Sequence, residues 1–150
     1  MIIAPFMERF GSLVSDLWWY KIPDNRYTGK KPYDVFGFYS FHEKKKALAF
    51  EFKIHTSIEV WPCAKVIEYQ EASLKRAADF DADARVVLGI RHLLSFDQQR
   101  EFGYPTRRVF LDVAWPIKDF LVYKNKHSTL NIRMLLKHGV RGQISGRDLL

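Results

Sequence analysis

Glu51 and Lys53 stand two residues apart in the run Ala47-Leu48-Ala49-Phe50-Glu51-Phe52-Lys53-Ile54. In an extended chain, side chains alternate between faces. Leu48, Phe50, Phe52 and Ile54 therefore point one way, and Glu51 and Lys53 the other. An acid and a base among large apolar neighbours are costly to bury unless they are paired or hold a metal. A surface ion pair on an edge strand is the plainer alternative. A second acid changes the balance. Asp34 opens another apolar run, Val35-Phe36-Gly37, and a hairpin between the two runs would set Asp34 near Glu51. Two converging carboxylates with no obvious arginine between them need a cation. Mg2+ suits such a place, because it takes carboxylate oxygens and keeps waters and substrate phosphates as its other ligands. The backbone carbonyl of Phe52 would add a further hard oxygen. An ion held there lowers the pKa of a bound water and stabilises charge on a phosphate in transfer. Lys53 would orient or deprotonate that water, or hold the phosphate.

The elements that must position these groups can be read from periodicity. Phe6, Phe10, Leu13 and Leu17 recur at helical spacing, with Pro5 suited to a first turn, so residues 5–19 are predicted as a helix. Residues 20–22 read as a short extended piece. A Gly-containing basic loop, Arg26 to Pro32, follows. Residues 33–41 and 47–54, rich in aromatic and apolar residues, are predicted strands joined by the polar turn 42–46. A second helix is predicted over 64–79, strands over 84–91 and 109–114, and a short helix near 129–138 closed by Gly139. The order α-β-β-α-β-β-α implies an α/β fold with a mixed central β-sheet flanked by helices. Nothing resembling a repeat or linker divides residues 1–150, so a single domain is expected.

On the second predicted helix, Val66, Gln70, Leu74 and Ala77 share one face. Gln70 is thus a polar residue on a core-facing stripe, and a buried amide needs partners. It is either satisfied by backbone or supports the acidic site. The ordered set Pro32-Tyr33-Asp34, Glu51-Phe52-Lys53 and Gln70 resembles the PD-(D/E)XK nuclease superfamily over about residues 6–91. Tyr33 intervenes between the proline and the aspartate of that motif, leaving Asp34 in the metal-binding position. Within the superfamily the chain looks most like a small Holliday junction resolvase of the archaeal, phage or RecU-like kind. The resemblance implies a restriction-endonuclease-like core and a homodimer. It implies a Mg2+-dependent endonuclease, with Mn2+ as a substitute, that resolves four-way DNA junctions by paired nicks. It assigns catalysis to Asp34, Glu51, Lys53 and Gln70, and metal binding to Asp34, Glu51 and the Phe52 carbonyl. It matches Glu8 to a metal-linked glutamate on the first helix, although a helical wheel sets Glu8 opposite Phe10 and Leu13. It also matches Arg26, Thr28, Lys30 and Lys31 to a DNA-binding loop. The same centre would serve a phage or repair nuclease acting on other DNA structures, and a non-catalytic DNA-binding module would keep the same fold.

Composition agrees with a DNA partner. The formal net charge is +7, which favours polyanions. The last third is especially basic, with Lys124, Lys126, Arg133, Lys137, Arg141 and Arg147. A solvated surface is the alternative for any one of these clusters. Cys63 is the only cysteine, which excludes an intrachain disulfide and suits a reducing cytoplasm. No apolar run reaches the length of a membrane span, and Met1 to Met7 do not read as a signal peptide. No G-x-x-x-x-G-K-[ST] loop is present, so no nucleotide cofactor is expected. The five histidines form no ligand pattern. Trp18, Trp19 and Tyr20 read as core or dimer contacts ahead of a base-stacking platform.

Overall fold

A computed structural model of the chain describes residues 2–24, 30–138 and 144–145. The expected mixed sheet flanked by helices is present, with more elements than periodicity revealed. Helix α1 spans Ile3–Leu13 and strand β1 Ser15–Lys21. Strands β2, Val35–Phe41, and β3, Lys44–His55, form a hairpin. After the two-residue β4, Trp61–Pro62, and a 3-10 turn come helix α2, Glu68–Asp79, and β5, Asp83–Leu93. Helix α3, Phe96–Phe102, precedes β6, Arg108–Pro116, and α4 covers Ile117–Lys126. The short β7, Thr129–Leu130, leads into α5, Ile132–His138, and β8 is Ile144–Ser145. Gly139, the expected end of the last helix, lies outside the described residues. The main sheet runs β1-β2-β3-β5-β6-β8, and β4 pairs with β7 in a separate ribbon. The β3–β5 and β6–β8 pairings are parallel; β1–β2, β2–β3 and β5–β6 are antiparallel. No helix among the described residues is long and apolar enough to cross a membrane.

The sheet separates two cores, as strand alternation requires. On one face Phe6, Met7 and Phe10 of α1 pack on Val35, Leu48, Phe50, Phe52 and Val87. On the other, Leu74 of α2 and Phe120 of α4 lie over Ala49, Val86, Leu88 and Trp115. Glu51 and Lys53 thus belong to the α2 side, as the alternation in β3 demands.

The predicted helix 5–19 is corrected to α1 plus β1. Phe6 and Phe10 keep the helical face, but Leu13 is exposed and the helix ends at Val14, whose extended backbone (φ −129, ψ 173) leads into β1. Asp16 adopts φ 51, a left-handed conformation that Asp tolerates better than most residues. From there Trp18, Trp19 and Tyr20 pair with β2. Gly37 lets the two strands close up: a Cβ on it would meet Trp18 O at 2.2 Å. The predicted turn 42–46 shrinks to His42-Glu43, both at positive φ (49 and 65), the backbone of a two-residue type I′ hairpin turn. The second helix begins at Glu68 and not at 64, because Trp61–Pro62 is held by β7 and Cys63–Lys65 forms the 3-10 turn.

Candidate active site

Strand β3 runs past the start of β2, and this overhang builds the site. Val35 pairs with Phe50, so the ladder ends there. Asp34 continues it by other means. Its N–H donates to the Phe50 carbonyl at 3.0 Å, and its Oδ2 accepts from the Phe52 N–H at 2.8 Å. The carboxylate therefore replaces a strand residue in satisfying β3. The N–H and C=O of one strand residue leave on the same edge, so the Phe52 carbonyl is directed to the side on which Asp34 lies. Asp34 Oδ1 receives Lys31 Nζ at 2.7 Å, and the same ammonium reaches the exposed Asp24 at 2.6 Å. Lys31, expected at the DNA backbone, is thus a direct partner of the first acid. Burial works against its charge, but the Asp24 and Asp34 carboxylates outweigh that and raise its pKa.

Glu51 is 2% exposed. Its Oε1 accepts from Gln70 Nε2 at 2.6 Å and from Lys53 Nζ at 2.8 Å. Its Oε2 is buried and, among the described residues, has no hydrogen-bond partner. Burial pushes the carboxyl up to about 7; the Lys53 hydrogen bond opposes this and the nearby Asp34 charge adds to it. Gln70 is the hinge of the arrangement. Its Nε2 donates to Glu51, and its Oε1 accepts both from Lys53 Nζ at 3.2 Å and from the Ile67 N–H at 3.2 Å. The Ile67 bond is the returning arm of a capping box at the start of α2, and Ile67 has no side-chain oxygen to supply the other arm. One amide so fixes the helix start, the acid and the lysine, and its donor and acceptor ends are set by those partners.

The structure brings together Asp34, Glu51, Lys53 and Gln70, and adds Lys31. Two carboxylates face two ammonium groups, yet one buried carboxylate oxygen is left over. A buried acceptor without a donor is unfavourable; a proton or a hard cation would satisfy it. Asp34, Glu51 Oε2 and the Phe52 carbonyl are a donor set of the kind Mg2+ takes. Such an ion would compete with Lys31 for Asp34 Oδ1.

Glu8 is exposed on α1, whose buried face packs on the Phe50 and Phe52 side of the sheet. The structure does not bring it to the two acids, and among the described residues no group of three His, Cys, Asp or Glu side chains is gathered. Arg26 and Thr28 lie outside the described residues. Lys30 lies 5.8 Å from the centre of the Tyr69 ring, beside the site. A further buried acid, Asp112, sits in apolar β6, where a lone polar residue between Leu111 and Val113 was its signal. Arg9 of α1 hydrogen-bonds its Oδ2, and Arg91 makes an ion contact with Oδ1 at 2.8 Å without hydrogen-bond geometry. Two arginines already compensate it, and it ties α1 to the sheet. Compared with known proteins, the chain matches no protein-family model and no curated protein.

Proposed function

We propose that the chain is a metal-dependent endodeoxyribonuclease of the PD-(D/E)XK superfamily that resolves four-way (Holliday) junctions by paired nicks. The observation that carries this reading is Glu51: buried beside Asp34, held by Lys53 and Gln70 through one oxygen, with its second oxygen unpartnered among the described residues. Asp34, Glu51 and the Phe52 carbonyl would hold Mg2+ or Mn2+. A bound divalent ion supplies an acidified water and charge stabilisation at the phosphate. Lys53 presents its ammonium between Glu51 and Gln70, partly open to solvent, where it can hold a phosphate oxygen or orient a water. Gln70 keeps Glu51 and Lys53 at a fixed separation, which is positioning work. Lys31, released from Asp34 when a cation binds, would turn to the DNA backbone together with Lys30. The net charge of +7 supports a polyanionic substrate.

A homodimer requires a surface for two copies to meet. Trp18 and Tyr20 of β1 pair with Phe38 and Phe36 of β2. Phe36 lies opposite Ala49, so these rings project on the α2 side of the sheet. Trp18, Tyr20 and Phe38 are about half exposed. Trp18 contacts Phe36 and Phe38 with ring centroids at 5.6 and 6.0 Å. Such a continuous aromatic patch suits a self-complementary interface.

The test is cleavage of a synthetic four-way junction, a duplex, a flap and a single strand, each with Mg2+ and with Mn2+. The junction is expected to be cut fastest. Asp34→Asn and Glu51→Gln are expected to lose roughly a hundredfold or more in cutting while retaining junction binding. Equal rates on all four substrates would defeat the junction assignment and leave a nuclease for other DNA structures. No cutting by the unsubstituted chain would leave a DNA-binding module.

A further inference from the structure

A groove of about 410 Å3 runs along the flank of α2, between that helix and the segment that leads into Asp34. Pro32 and Tyr33 form one wall; Tyr69, Arg76, Ala77 and Phe80 form the other. Each wall adjoins a site residue along the chain. Tyr33 immediately precedes Asp34, and Tyr69 immediately precedes Gln70. Residues 69, 73 and 76 recur at helical spacing and Phe80 caps the helix end, so one edge of α2 and its cap line the groove. That edge is unusual for solvent. Tyr69 is 43% exposed and Phe80 is 83% exposed. The charges are one-sided: Arg76 lines the groove, the Lys30 ammonium lies 5.8 Å from the Tyr69 ring, and none of the lining residues is acidic.

Building on the nuclease reading, we propose that this groove seats an unpaired nucleobase of the DNA strand whose phosphate lies at Asp34 and Glu51. Exposed aromatic faces stack on any base, and an arginine both stacks and holds phosphate. The volume falls in the range of small-molecule sites and has ample room for a planar base. A base within a duplex is already stacked and paired, so it is presented to such a groove only at the price of leaving the helix. The groove therefore favours DNA with unpaired nucleotides over continuous duplex, and a four-way junction offers it a base when a pair at the crossover opens. This gives the site a means of selecting structure without reading sequence.

The test is binding by the full chain in EDTA, which separates it from any cutting. Fluorescence anisotropy would compare a blunt duplex with the same duplex carrying a short unpaired flap. The unsubstituted chain should prefer the flapped DNA by about tenfold. Tyr69→Ala and Phe80→Ala, both at exposed side chains, should lose that preference while binding blunt duplex as before. Tyr69→Phe should keep it. Circular dichroism would verify that each variant is folded. A preference that survives both alanine variants overturns the proposal. So does equal weakening on both DNAs, which marks a general phosphate contact, and so does the absence of any preference, which leaves a protein segment as the occupant. The nuclease reading fails separately: if no DNA is cut with Mg2+ or Mn2+ while the flap preference depends on Tyr69 and Phe80, the groove stands and the catalysis falls.

Discussion

Glu51 concentrates the chemistry of the site in one carboxyl group. Burial raises its pKa from 4.5 to about 7 in the metal-free chain. The sign of the consequence follows from linkage. A carboxyl whose folded pKa is raised binds its proton more tightly when folded, so its stabilising contribution is full below pH 4.5 and is lost as pH rises through about 7. The metal-free protein should therefore lose about 3 kcal/mol from this group between pH 4 and pH 8. Glu51→Gln mimics the protonated form and lacks that dependence. Urea unfolding in EDTA should show the variant gaining on the unsubstituted chain as pH rises; a constant difference across this range would contradict the account. At this scale the sequence was informative. Alternation in 47–54 placed Glu51 and Lys53 together, and the apolar stripe of α2 marked Gln70 as a polar intruder. What stayed hidden was Lys31. Nothing in a loop lysine three residues before Asp34 distinguishes a partner of the acid from a contact for DNA.

At the scale of elements, the hairpin and α2 do the positioning, and their ends decide the geometry. Gly37 is where β1 and β2 meet most closely, with no room for a side chain against Trp18 O. Gly37→Ala should destabilise the chain by about 1–3 kcal/mol, read as a lower urea midpoint. An unchanged midpoint would mean that β1 does not sit as described. Ser95 makes a simpler test. Its Oγ accepts from the Gln98 N–H at 3.1 Å, and Gln98 Oε1 accepts from the Ser95 N–H at 2.9 Å. Ser95→Ala should cost about 1 kcal/mol. This capping box, with Gly103 at φ 71 closing the helix, was present in the sequence as Ser-x-x-Gln and Gly, yet α3 escaped a reading based on long apolar periods. Strands β2, β3, β5 and β6 were legible because they are long and apolar. The break between α1 and β1 was not, because Phe6, Phe10, Leu13 and Leu17 keep helical spacing across the bend at Val14. The hairpin turn carries His42 and Glu43 where Asn-Gly would have announced it.

For the whole molecule, the sheet gives each face a different task. The α1 face is closed by aromatic packing and by Asp112 held between Arg9 and Arg91. The α2 face carries the acids, the groove and the open rings of β1 and β2. If two copies meet at those rings, sedimentation should give twice the chain mass, and Trp18→Ser with Phe38→Ser should shift the protein to monomer without unfolding it. A monomeric unsubstituted chain would move the dimer contact out of the account. The claim on which the catalytic reading depends is that Asp34 and Glu51 share a divalent cation. Electron paramagnetic resonance of Mn2+ titrated into the protein tests it most directly. The unsubstituted chain should take up Mn2+ and quench the free-ion signal, and Asp34→Asn and Glu51→Gln should each abolish that uptake. Mn2+ that stays free, or that binds equally well to both variants, would contradict it.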